Sequence, residues 1–470
     1  MTAKLNVALS GDQHMHLMNF LFPGDGNEAI ALLLCGRRDG DRRHRLTVRE
    51  VHEIPYEHCV KRTPTQVQWS PDYVDDILER AASERLSVIK IHSHPNGYGA
   101  FSKLDDRSDS QILPMIGGWV DNNLIHGSAV MLPNGQMFGR VWSGGGFIDI
   151  DCISVAGDDL HFWYADAGSM ELPDFVASHA QAFDEGTIER LQRLSIAVIG
   201  ASGTGSPTIE QLMRLGVGEI VSVDDDVMEA RNINRILNST VKDADAHRAK
   251  VDVMAEAVER TGLGTRIIAI KKNLWHPDVV RVVAQCDVLF GCMDSIDGRY
   301  LLNAIASHYN IPYFDIGVRL VANPNGKNQG QIQEVCGTVH YLRPGRSSLM
   351  SRGIFSMNEV AAAGLARNDQ DAHDQQVVDG YIRGGASHRP AVISVNMFAS
   401  SLAVNEFLAR LHPYREEPNQ AHASVTFSLA SMEMFSDPEE NPCPILTRVV
   451  GMGDRSPLLG LMELTEMRPT

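Results

Sequence analysis

The stretch "SIAVIGASGTGSPTIEQLMRLG" (Ser195–Gly216) has the order of a buried strand, a glycine-rich turn and a helix. Its apolar run predicts the strand, while Pro207 near the helix start and Gly216 at the helix end are typical boundaries. A second apolar run, "EIVSVDDD" (219–226), predicts the next strand. A strand, a helix and a strand within about thirty residues are typical of a parallel α/β sheet. Further predicted elements are strands at 286–292 and 311–318 and a long apolar-striped helix at 390–411.

The composition is that of a globular protein with more than one domain. The 470 residues are 43% apolar and 21% charged, and this length predicts two or three domains. The net charge of −17 argues against a general nucleic-acid binder, because phosphate binding requires clustered Lys and Arg. One basic run, "RRDGDRRHR" (37–45), is interrupted by Asp and Gly, and we interpret it as a solvated hairpin tip.

Cysteine usage and hydropathy favour a cytoplasmic protein. The seven cysteines form no C-x-x-C pair and are too sparse for a disulfide scaffold, which favours a reducing compartment. No stretch approaches 18 uninterrupted apolar residues, and the start lacks a basic segment followed by an apolar run. We therefore expect no membrane span and no signal peptide.

The pattern of the chain changes at several points. The first part is predicted to contain strands and one or two helices, including a helix at 71–85 and a strand at 86–94, before a glycine-rich break at 143–147. The predicted divisions are a first domain at 1–150, a connector at 151–185, an α/β domain at 186–412, and an extension at 413–470 packed on that α/β domain.

Two histidines end the strand predicted at 86–94. His92 and His94 are two residues apart, so both side chains point to one face of the strand. Two imidazoles held in this way suit Zn²⁺, and a third ligand is expected from a nearby loop. Asp105 is the first choice, with Asp106 and Asp109 close by.

A purely structural interpretation of the same stretch is also open. Ser102 and Asp105 have the spacing of a helix-capping pair, which requires no metal. An H-x-H pattern also occurs by chance, and His14 and His16 form a second one, for which we expect no metal role. Local chemistry alone therefore leaves a metal site and a capped helix as alternatives.

The full spacing from His92 to Asp105 resembles the H-x-H-x7-S-x2-D signature of the JAMM (JAB/MPN) metalloproteases. The resemblance covers roughly residues 1–145 and implies a mixed α+β, cytidine-deaminase-like domain that cleaves amide or isopeptide bonds after the C-terminus of a ubiquitin-like protein. Glu28 would exchange protons as general base and acid, with Glu50 and Glu53 as rivals, and Ser102 would stabilise the developing oxyanion. The implied zinc ligands are His92, His94 and Asp105.

The glycine-rich turn "GASGTGS" (200–206) predicts a nucleotide site. Gly200, Gly203 and Gly205 would let the backbone approach phosphates at a helix N-terminus, although a tight turn without a ligand has the same pattern. Asp224 ends the next strand, where a carboxylate can bind ribose hydroxyls of either NAD or ATP. Two cations and a carboxylate then favour a triphosphate with Mg²⁺, and these are Arg235, Lys250 and Asp294.

This half resembles the ubiquitin-activating-enzyme family, which includes the bacterial ThiF/MoeB adenylyltransferases. The resemblance spans roughly residues 180–412 and rests on "GASGTGS" (200–206), "GVG" (216–218), "VDDD" (223–226), "NINR" (232–235) and Lys250. Ser202 replaces a family glycine. The resemblance implies a Rossmann-like domain, usually dimeric, in which a modifier's C-terminal carboxylate attacks the α-phosphate of ATP. The implied nucleotide ligands are Gly200, Gly203, Gly205, Asp224, Asn232, Arg235 and Lys250, with Arg235 and Lys250 also catalytic and Asp294 on Mg²⁺.

The family's usual thioester cysteine is missing. No cysteine lies between Cys336 and Cys443, so the adenylate is expected to pass directly to an acceptor or to a conjugating-enzyme-like partner. A hydroxyl such as that of Ser351 or Ser356 is a less favoured acceptor. Together the two resemblances imply a bacterial, homodimeric, bifunctional enzyme that acts on a β-grasp modifier. The alternatives are a cysteine-independent adenylyltransferase that makes a peptide–nucleotide or feeds sulfur transfer, and a non-catalytic scaffold.

Overall fold

The chain folds into two compact units. The computed structural model describes residues 3–70, 73–121, 123–166, 173–323, 331–378 and 391–465. The first unit comprises residues 1–168, 307–310 and 448–461, and the second comprises residues 169–306, 311–447 and 462–470.

The first unit is built on a nine-stranded mixed sheet with the order β11-β10-β1-β3-β2-β6-β7-β8-β9, and β4 and β5 form a separate hairpin. The strands are β1 (Lys4–Ser10), β2 (Ile30–Asp39), β3 (Arg43–Glu53), β4 (Cys59–Thr63), β5 (Gln66–Trp69), β6 (Ser87–Ser93), β7 (Gly127–Met131), β8 (Met137–Ser143), β9 (Gly146–Asp149), β10 (Cys152–Ala156) and β11 (Leu160–Tyr164). The helices are α1 (Gly11–Leu21), α2 (Asp75–Glu84) and α3 (Lys103–Val120).

Helices cover both faces of the central strand β2. Ala31, Leu33 and Cys35 pack in a core with α1, whereas alternate residues such as Leu32 and Leu34 pack in a second core with α2 and α3. Because both faces are buried, the sequence of β2 is a continuous apolar run instead of an alternating one. The mixed α+β class predicted for this part is confirmed, and its described residues form three α-helices where one or two were expected.

Two strands lie inside 151–185, the range for which the sequence predicts a connector. β10 pairs in parallel with β1, and β11 pairs with β10, so the first sheet continues to Tyr164. Ile153 and Val155 belong to the core on the α1 side, while Cys152 and Ala156 are also buried. A strand buried on both sides shows little alternation, which explains why its pattern was too weak to recognise.

The basic run at 37–45 forms the β2–β3 hairpin, as predicted, but it is not uniformly solvated. Arg45 is only 1% exposed, and Arg38 forms an ion pair with Asp454, with 2.9 Å between its Nη1 and the carboxylate. The expectation of a solvated tip therefore fails for part of the run, because Arg45 lies within the sheet between β1 and β2 and a distant segment contacts Arg37 and Arg38.

That segment, 448–461, was expected to pack on the α/β domain but groups with the first unit. The Thr47 hydroxyl donates to the Gly451 carbonyl at 2.7 Å, and a parallel bridge joins Arg37 to Gly453. Gly453 has a φ of +63°, and a Cβ there would lie 2.3 Å from the Arg37 nitrogen. Only glycine fits this close backbone approach without displacement.

The second unit contains an eight-stranded sheet with the order β14-β13-β12-β15-β16-β17-β18-β19. The first five strands in this order, β14, β13, β12, β15 and β16, pair in parallel. β17, β18 and β19 then each pair antiparallel to the strand before them. The order of the parallel strands reverses at β12, as in a Rossmann-like sheet, which confirms the predicted class. The strands are β12 (Ser195–Ile199), β13 (Glu219–Val223), β14 (Arg266–Ile270), β15 (Val288–Gly291), β16 (Tyr313–Asn323), β17 (Gln331–Leu342), β18 (Ser424–Ser428) and β19 (Glu433–Asp437).

Ten helices are found among the described residues of the chain after 172. They are α4 (Ala177–Phe183), α5 (Glu185–Arg193), α6 (Gly205–Arg214), α7 (Val241–Asp245), α8 (Lys250–Thr261), α9 (Pro277–Val283), α10 (Ile296–Tyr309), α11 (Met357–Asn368), α12 (Gln370–Val378) and α13 (Ile393–Leu411). The long helix predicted at 390–411 is α13, although its predicted first residue lies outside the described residues. Within the described ranges, no helix is both apolar enough and long enough to cross a bilayer.

The backbone approach at Gly453 can be tested with a matched pair of variants. We expect Gly460→Ala to lower the free energy of unfolding by about 1 kcal/mol, because its φ of +71° disfavours a side chain but its Cβ would meet open space. Gly453→Ala should cost roughly 1–3 kcal/mol more, because its Cβ also overlaps the Arg37 backbone. Calorimetry of the full chain measures both, and equal losses would contradict the close packing of this segment.

Candidate metal centre and nucleotide site

Three side chains converge at the carboxyl end of β6. His92 is the sixth residue of this strand, His94 follows its end, and Asp105 lies in the first turn of α3. The Nε2 atoms of the two histidines are 3.2 Å apart. Asp105 Oδ1 lies 3.1 Å from His92 Nε2, and its Oδ2 lies 3.5 Å from His94 Nε2. The three residues predicted from the sequence as metal ligands are thus brought together.

The spacing of these atoms suits a tetrahedral metal ion. Bonds of about 2.0–2.1 Å to zinc give a tetrahedron whose edges are roughly 3.3 Å. The two histidine Nε2 atoms are 3.2 Å apart, and each has one of the two Asp105 oxygens at 3.1 or 3.5 Å, so the separations are of this size. His92 and His94 are buried, whereas the Asp105 side chain is 13% exposed. Two imidazoles and one carboxylate form a donor set that zinc accepts, with one position left for water or substrate.

Hydrogen bonds and burial set the protonation of this cluster. Burial lowers the pKa of His92, which favours its neutral, ligating form. Burial also disfavours the charged form of His94, but the hydrogen bonds with Asp105 and the Tyr98 carbonyl and the nearby carboxylates together outweigh it, so the pKa of His94 is raised. Burial alone would raise the pKa of Asp105, yet hydrogen bonds from the two histidines hold it well below its usual range. His94 Nδ1 lies 2.7 Å from the Tyr98 carbonyl, which fixes the orientation of its ring.

Glu28 lies immediately before Ala29 and β2, beside the three converging side chains. Its side chain is buried, and this burial raises the pKa of its carboxyl to about 7, with His94 opposing the shift and Asp105 adding to it. Its backbone carbonyl accepts a hydrogen bond from Arg62 Nε at 2.9 Å. A carboxyl that titrates near neutral pH can both accept and release a proton, as a general base and acid must.

The rival glutamates have other partners. Glu50 contacts Arg80 at 2.8 Å and His52 at 3.1 Å. Glu53 lies 2.8 Å from His16 Nε2. The structure therefore favours Glu28 over these two for the proton-transfer role.

The capping interpretation of Ser102 is correct and does not exclude the metal site. Ser102 is the N-cap of α3, where its Oγ accepts the Asp105 N–H at 3.2 Å and Asp105 Oδ2 accepts the Ser102 N–H at 2.7 Å. The cap fixes the Asp105 carboxylate in the position from which it also reaches the two histidines. One hydrogen-bonding pair thus begins the helix and orients a ligand.

The two histidines of the second H-x-H pair contact separate partners. His14 and His16 lie on α1, where His14 Nε2 lies 2.8 Å from the Gly135 carbonyl and His16 pairs with Glu53. Asp106 and Asp109, the other carboxylates proposed as ligands, instead contact Arg140. Among the described residues of the first unit, the metal-type cluster is the one formed by His92, His94 and Asp105.

The glycine-rich loop at the end of β12 is held by close backbone contacts. Gly200 has a φ of +95°, and a Cβ on Gly205 would lie 1.8 Å from the Gly200 carbonyl oxygen. The loop therefore accepts no side chain at Gly205, and it leads directly into the N-terminus of α6. Such a turn exposes backbone N–H groups at a helix N-terminus, where a phosphate is stabilised.

Two residues of α13 support this loop and were not predicted. A Cβ on Gly203 would lie 2.3 Å from Asn396 Nδ2, and Ser400 Oγ donates to the Thr204 carbonyl at 2.7 Å. Asn396 and Ser400 are buried polar residues spaced four apart on an apolar helix. That spacing is the signal that could have identified them.

Asp224 and Lys250 lie at the carboxyl end of β13. Asp224 Oδ2 accepts the Ala201 N–H at 2.7 Å, which joins the two strand ends. Burial raises the pKa of Asp224, although Lys250, 3.9 Å away, opposes this shift. Lys250 Nζ also donates to Asp226 at 2.5 Å. A buried cation beside the loop can meet a phosphate once its carboxylate partners are redirected.

The other predicted nucleotide residues surround the same strand ends. Asn232 is buried, and its Oδ1 accepts the Glu229 N–H at 3.0 Å. Arg235 Cδ would lie 3.4 Å from a Cβ on Gly203, which places this arginine beside the loop. Asp294 follows β15 and is exposed. These positions are compatible with the predicted roles, which remain predictions.

The cysteines nearest to the expected thioester position and the alternative hydroxyls have structural surroundings. Cys336 is half-buried within β17, and Cys443 is fully buried. Ser356 is the N-cap of α11, where it accepts the Glu359 N–H. Ser351 Oγ accepts the Ser348 N–H at 2.9 Å. Both serines therefore have structural roles at turns and helix starts.

Family models match both parts of the chain. The ThiF family model matches residues 176–444, more than half of the chain. The chain belongs to the ThiF family. The model described as prokaryotic homologs of the JAB domain matches residues 14–142. The fusion predicted from the two motifs is thereby confirmed.

Several curated proteins are similar to part of this ThiF chain. It is 34% identical over 123 residues to the SAMP-activating enzyme E1 of Haloferax volcanii, covering 26% of this chain and 45% of that protein. It is 32% identical over 124 residues to the adenylyltransferase and sulfurtransferase UBA4 of Meyerozyma guilliermondii, covering 26% and 28%. The chain thus spans less than half of the length of these relatives. A solved structure of E. coli MccB with MccA-N7isoASN aligns with a TM-score of 0.45 at 15% identity, over 59% of this chain and 75% of that one.

Proposed function

We propose that the protein is a bifunctional enzyme for a ubiquitin-like modifier. Its first unit would cleave amide or isopeptide bonds after the modifier's C-terminus with the help of zinc. Its second unit would adenylate that C-terminus with ATP and Mg²⁺. The convergence of His92, His94 and Asp105 beside the buried Glu28 is the observation that carries the first activity.

For the cleavage reaction, each residue has a role that its environment supports. His92, His94 and Asp105 would hold zinc, which supplies a Lewis acid and lowers the pKa of water in catalytic sites. Glu28, with a pKa of about 7, would take a proton from the attacking water and transfer it to the leaving amine. Because burial raises the pKa of Glu28 to about 7, both the protonated and the ionised carboxyl are populated near neutral pH.

Ser102 is proposed to stabilise the oxyanion of the tetrahedral intermediate. Its Oγ accepts the Asp105 N–H, so its own hydroxyl hydrogen remains able to donate to a developing negative charge. The same cap that begins α3 thus orients the donor. This preorganisation costs no rearrangement during the reaction.

For adenylation, the glycine-rich loop and α6 would hold the phosphates and Asp224 the ribose. Arg235 and Lys250 would stabilise charge on the α-phosphate and the departing pyrophosphate, while Asn232 would contact the phosphates and Asp294 would hold Mg²⁺. The carboxylate oxygen of the modifier attacks the α-phosphorus of ATP. The bond between the α-phosphorus and the bridging oxygen breaks, pyrophosphate leaves, and an acyl-adenylate forms. Membership of the ThiF family and the loop geometry at Gly200 and Gly205 support this assignment.

Both proposed reactions act on the same C-terminal tail, which gives the fusion a chemical reason. Related proteins are described as a SAMP-activating enzyme and as ubiquitin-like modifier-activating enzymes, which supports a β-grasp modifier as the partner here. We further propose a homodimer, and direct transfer of the adenylate to an acceptor or a conjugating-enzyme-like partner. The buried state of Cys443 and the strand position of Cys336 favour direct transfer over a thioester.

Sulfur transfer is the second candidate for the adenylate. One relative is described as an adenylyltransferase and sulfurtransferase, and activation without a thioester is compatible with that route. Mass spectrometry of the modifier after reaction separates the two fates. A conjugate at an amine supports the main proposal, and a C-terminal thiocarboxylate supports the second.

Zinc content tests the proposed hydrolase. We expect the purified chain to hold about one zinc ion, and His92→Ala or Asp105→Ala to lose it, because each removes one of three protein ligands. Inductively coupled plasma mass spectrometry gives the metal-to-protein ratio. His14→Ala is the matched control and should retain the metal, because His14 instead contacts the Gly135 carbonyl. A folded wild-type chain that takes up no zinc would reject the proposal.

Pyrophosphate exchange tests the proposed adenylation. A modifier with a free C-terminus should drive exchange of labelled pyrophosphate into ATP, and Arg235→Ala should reduce the rate by about 10²–10³-fold through loss of charge stabilisation. Arg231→Ala is the control, because Arg231 is an exposed neighbour that pairs with Glu229. Equal rates for the two variants would contradict the role given to Arg235. Asp294→Ala should also abolish exchange if this carboxylate holds Mg²⁺.

A further inference from the structure

A buried cluster of three charged side chains lies beside the metal centre. Asp109 is fully buried, with Lys90 Nζ hydrogen-bonded to its Oδ1. Its Oδ2 accepts hydrogen bonds from Arg140 Nη2 at 2.8 Å and Nε at 3.2 Å. The side chains of Lys90 and Arg140 are only 4% and 6% exposed. Neither the cleavage nor the adenylation reaction uses these three residues.

Lys90 and Asp109 lie on the same strand and helix as the proposed ligands His92 and Asp105, and they make a similar contact between the two elements. Lys90 precedes His92 by two residues on β6, and Asp109 follows Asp105 by four residues on α3. Two residues of a strand advance about 6.6 Å and four residues of a helix advance about 6 Å, so the two spacings match. The Lys90–Asp109 ion pair and the His92–Asp105 contact therefore form two parallel cross-links between the strand and the helix.

Arg140 anchors this arrangement from β8. Its guanidinium stacks between the rings of Phe101 and Phe147, at 3.7 and 3.8 Å from their centroids. It also contacts Asp106, so it holds two carboxylates of the first two turns of α3. A planar guanidinium with several donors and two stacked rings has little freedom to move.

We propose that Lys90, Asp109 and Arg140 are positioning residues that set the register of α3 on β6 and thereby hold Asp105 at the zinc ion. This inference rests on the proposed zinc site. The apolar residues of α3, such as Leu113 and Ile116, pack in a core, but apolar packing is non-directional. A shift of one residue turns a helix by about 100°, which would carry Asp105 away from the histidines and break the Lys90–Asp109 pair at once.

A stabilising role alone predicts different behaviour. Replacing a complete buried ion cluster with apolar residues of similar size is often neutral for stability, whereas the specificity of packing can be lost. Zinc affinity and stability are therefore separable readouts here. A purely structural role changes both or neither, and a positioning role lowers zinc affinity while the fold persists.

The test uses the full chain with all three charges replaced, Lys90→Met, Asp109→Leu and Arg140→Met. Zinc affinity is measured by competition with a chromophoric chelator, and unfolding is followed by calorimetry. We expect zinc to bind at least about tenfold more weakly, with the unfolding temperature close to that of the wild type. Arg140→Lys, which keeps the charge but loses the paired hydrogen bonds, should show an intermediate loss of zinc affinity.

Arg49→Met is the matched control, because Arg49 pairs with Glu84 in the same unit without contacting α3. Its zinc affinity should equal that of the wild type. Wild-type zinc affinity in both the triple variant and Arg140→Lys would overturn the positioning role. If the triple variant fails to fold, unchanged affinity in Arg140→Lys alone overturns it. A wild-type chain that binds no zinc would instead reject the metal site itself, so the two failures are distinguishable.

Discussion

Both sites depend on the same constraint: each lies at the carboxyl end of a buried strand, at the start of the helix that follows it in the chain. In the first unit this junction brings His92, near the end of β6, and His94, just after it, to the capped start of α3. In the second unit it folds the glycine-rich loop between β12 and α6. Strand ends fix positions because their neighbours are hydrogen-bonded, and helix starts supply free N–H groups. The chemistry differs, but the means of holding side chains in place is shared.

Hydrogen bonds with two functions recur at these junctions. The Ser102–Asp105 cap begins a helix and orients a ligand. The Asp224 carboxylate accepts the Ala201 N–H and thereby connects two strands, while its other oxygen faces Lys250. Buried polar groups are costly unless each has a partner. When one hydrogen bond both stabilises the fold and orients a site residue, fewer buried polar groups need a partner.

Much of the fold and the site was accessible from the sequence because it depends on local patterns. The strand–turn–helix at 195–216 and the spacing from His92 to Asp105 require only neighbouring residues. What the sequence did not reveal depends on distant partners. β10 and β11 are recognisable only beside β1, and Arg45 is buried where hairpin composition indicated solvent. The support of the glycine-rich loop by Asn396 comes from a helix almost two hundred residues away in the chain.

The segment 448–461 has a consequence for how the protein is made. The first unit includes these residues, so its sheet meets these backbone partners only after residues 169–447 have been synthesised. About 280 residues separate the two parts, which at roughly 5–20 residues per second delays their contact by tens of seconds. During that interval the hairpin around Arg37 and Thr47 lacks the bridge and hydrogen bond that the segment supplies. The backbone pairing of the first unit is therefore completed only after the sheet of the second unit, which ends with β19, has been synthesised.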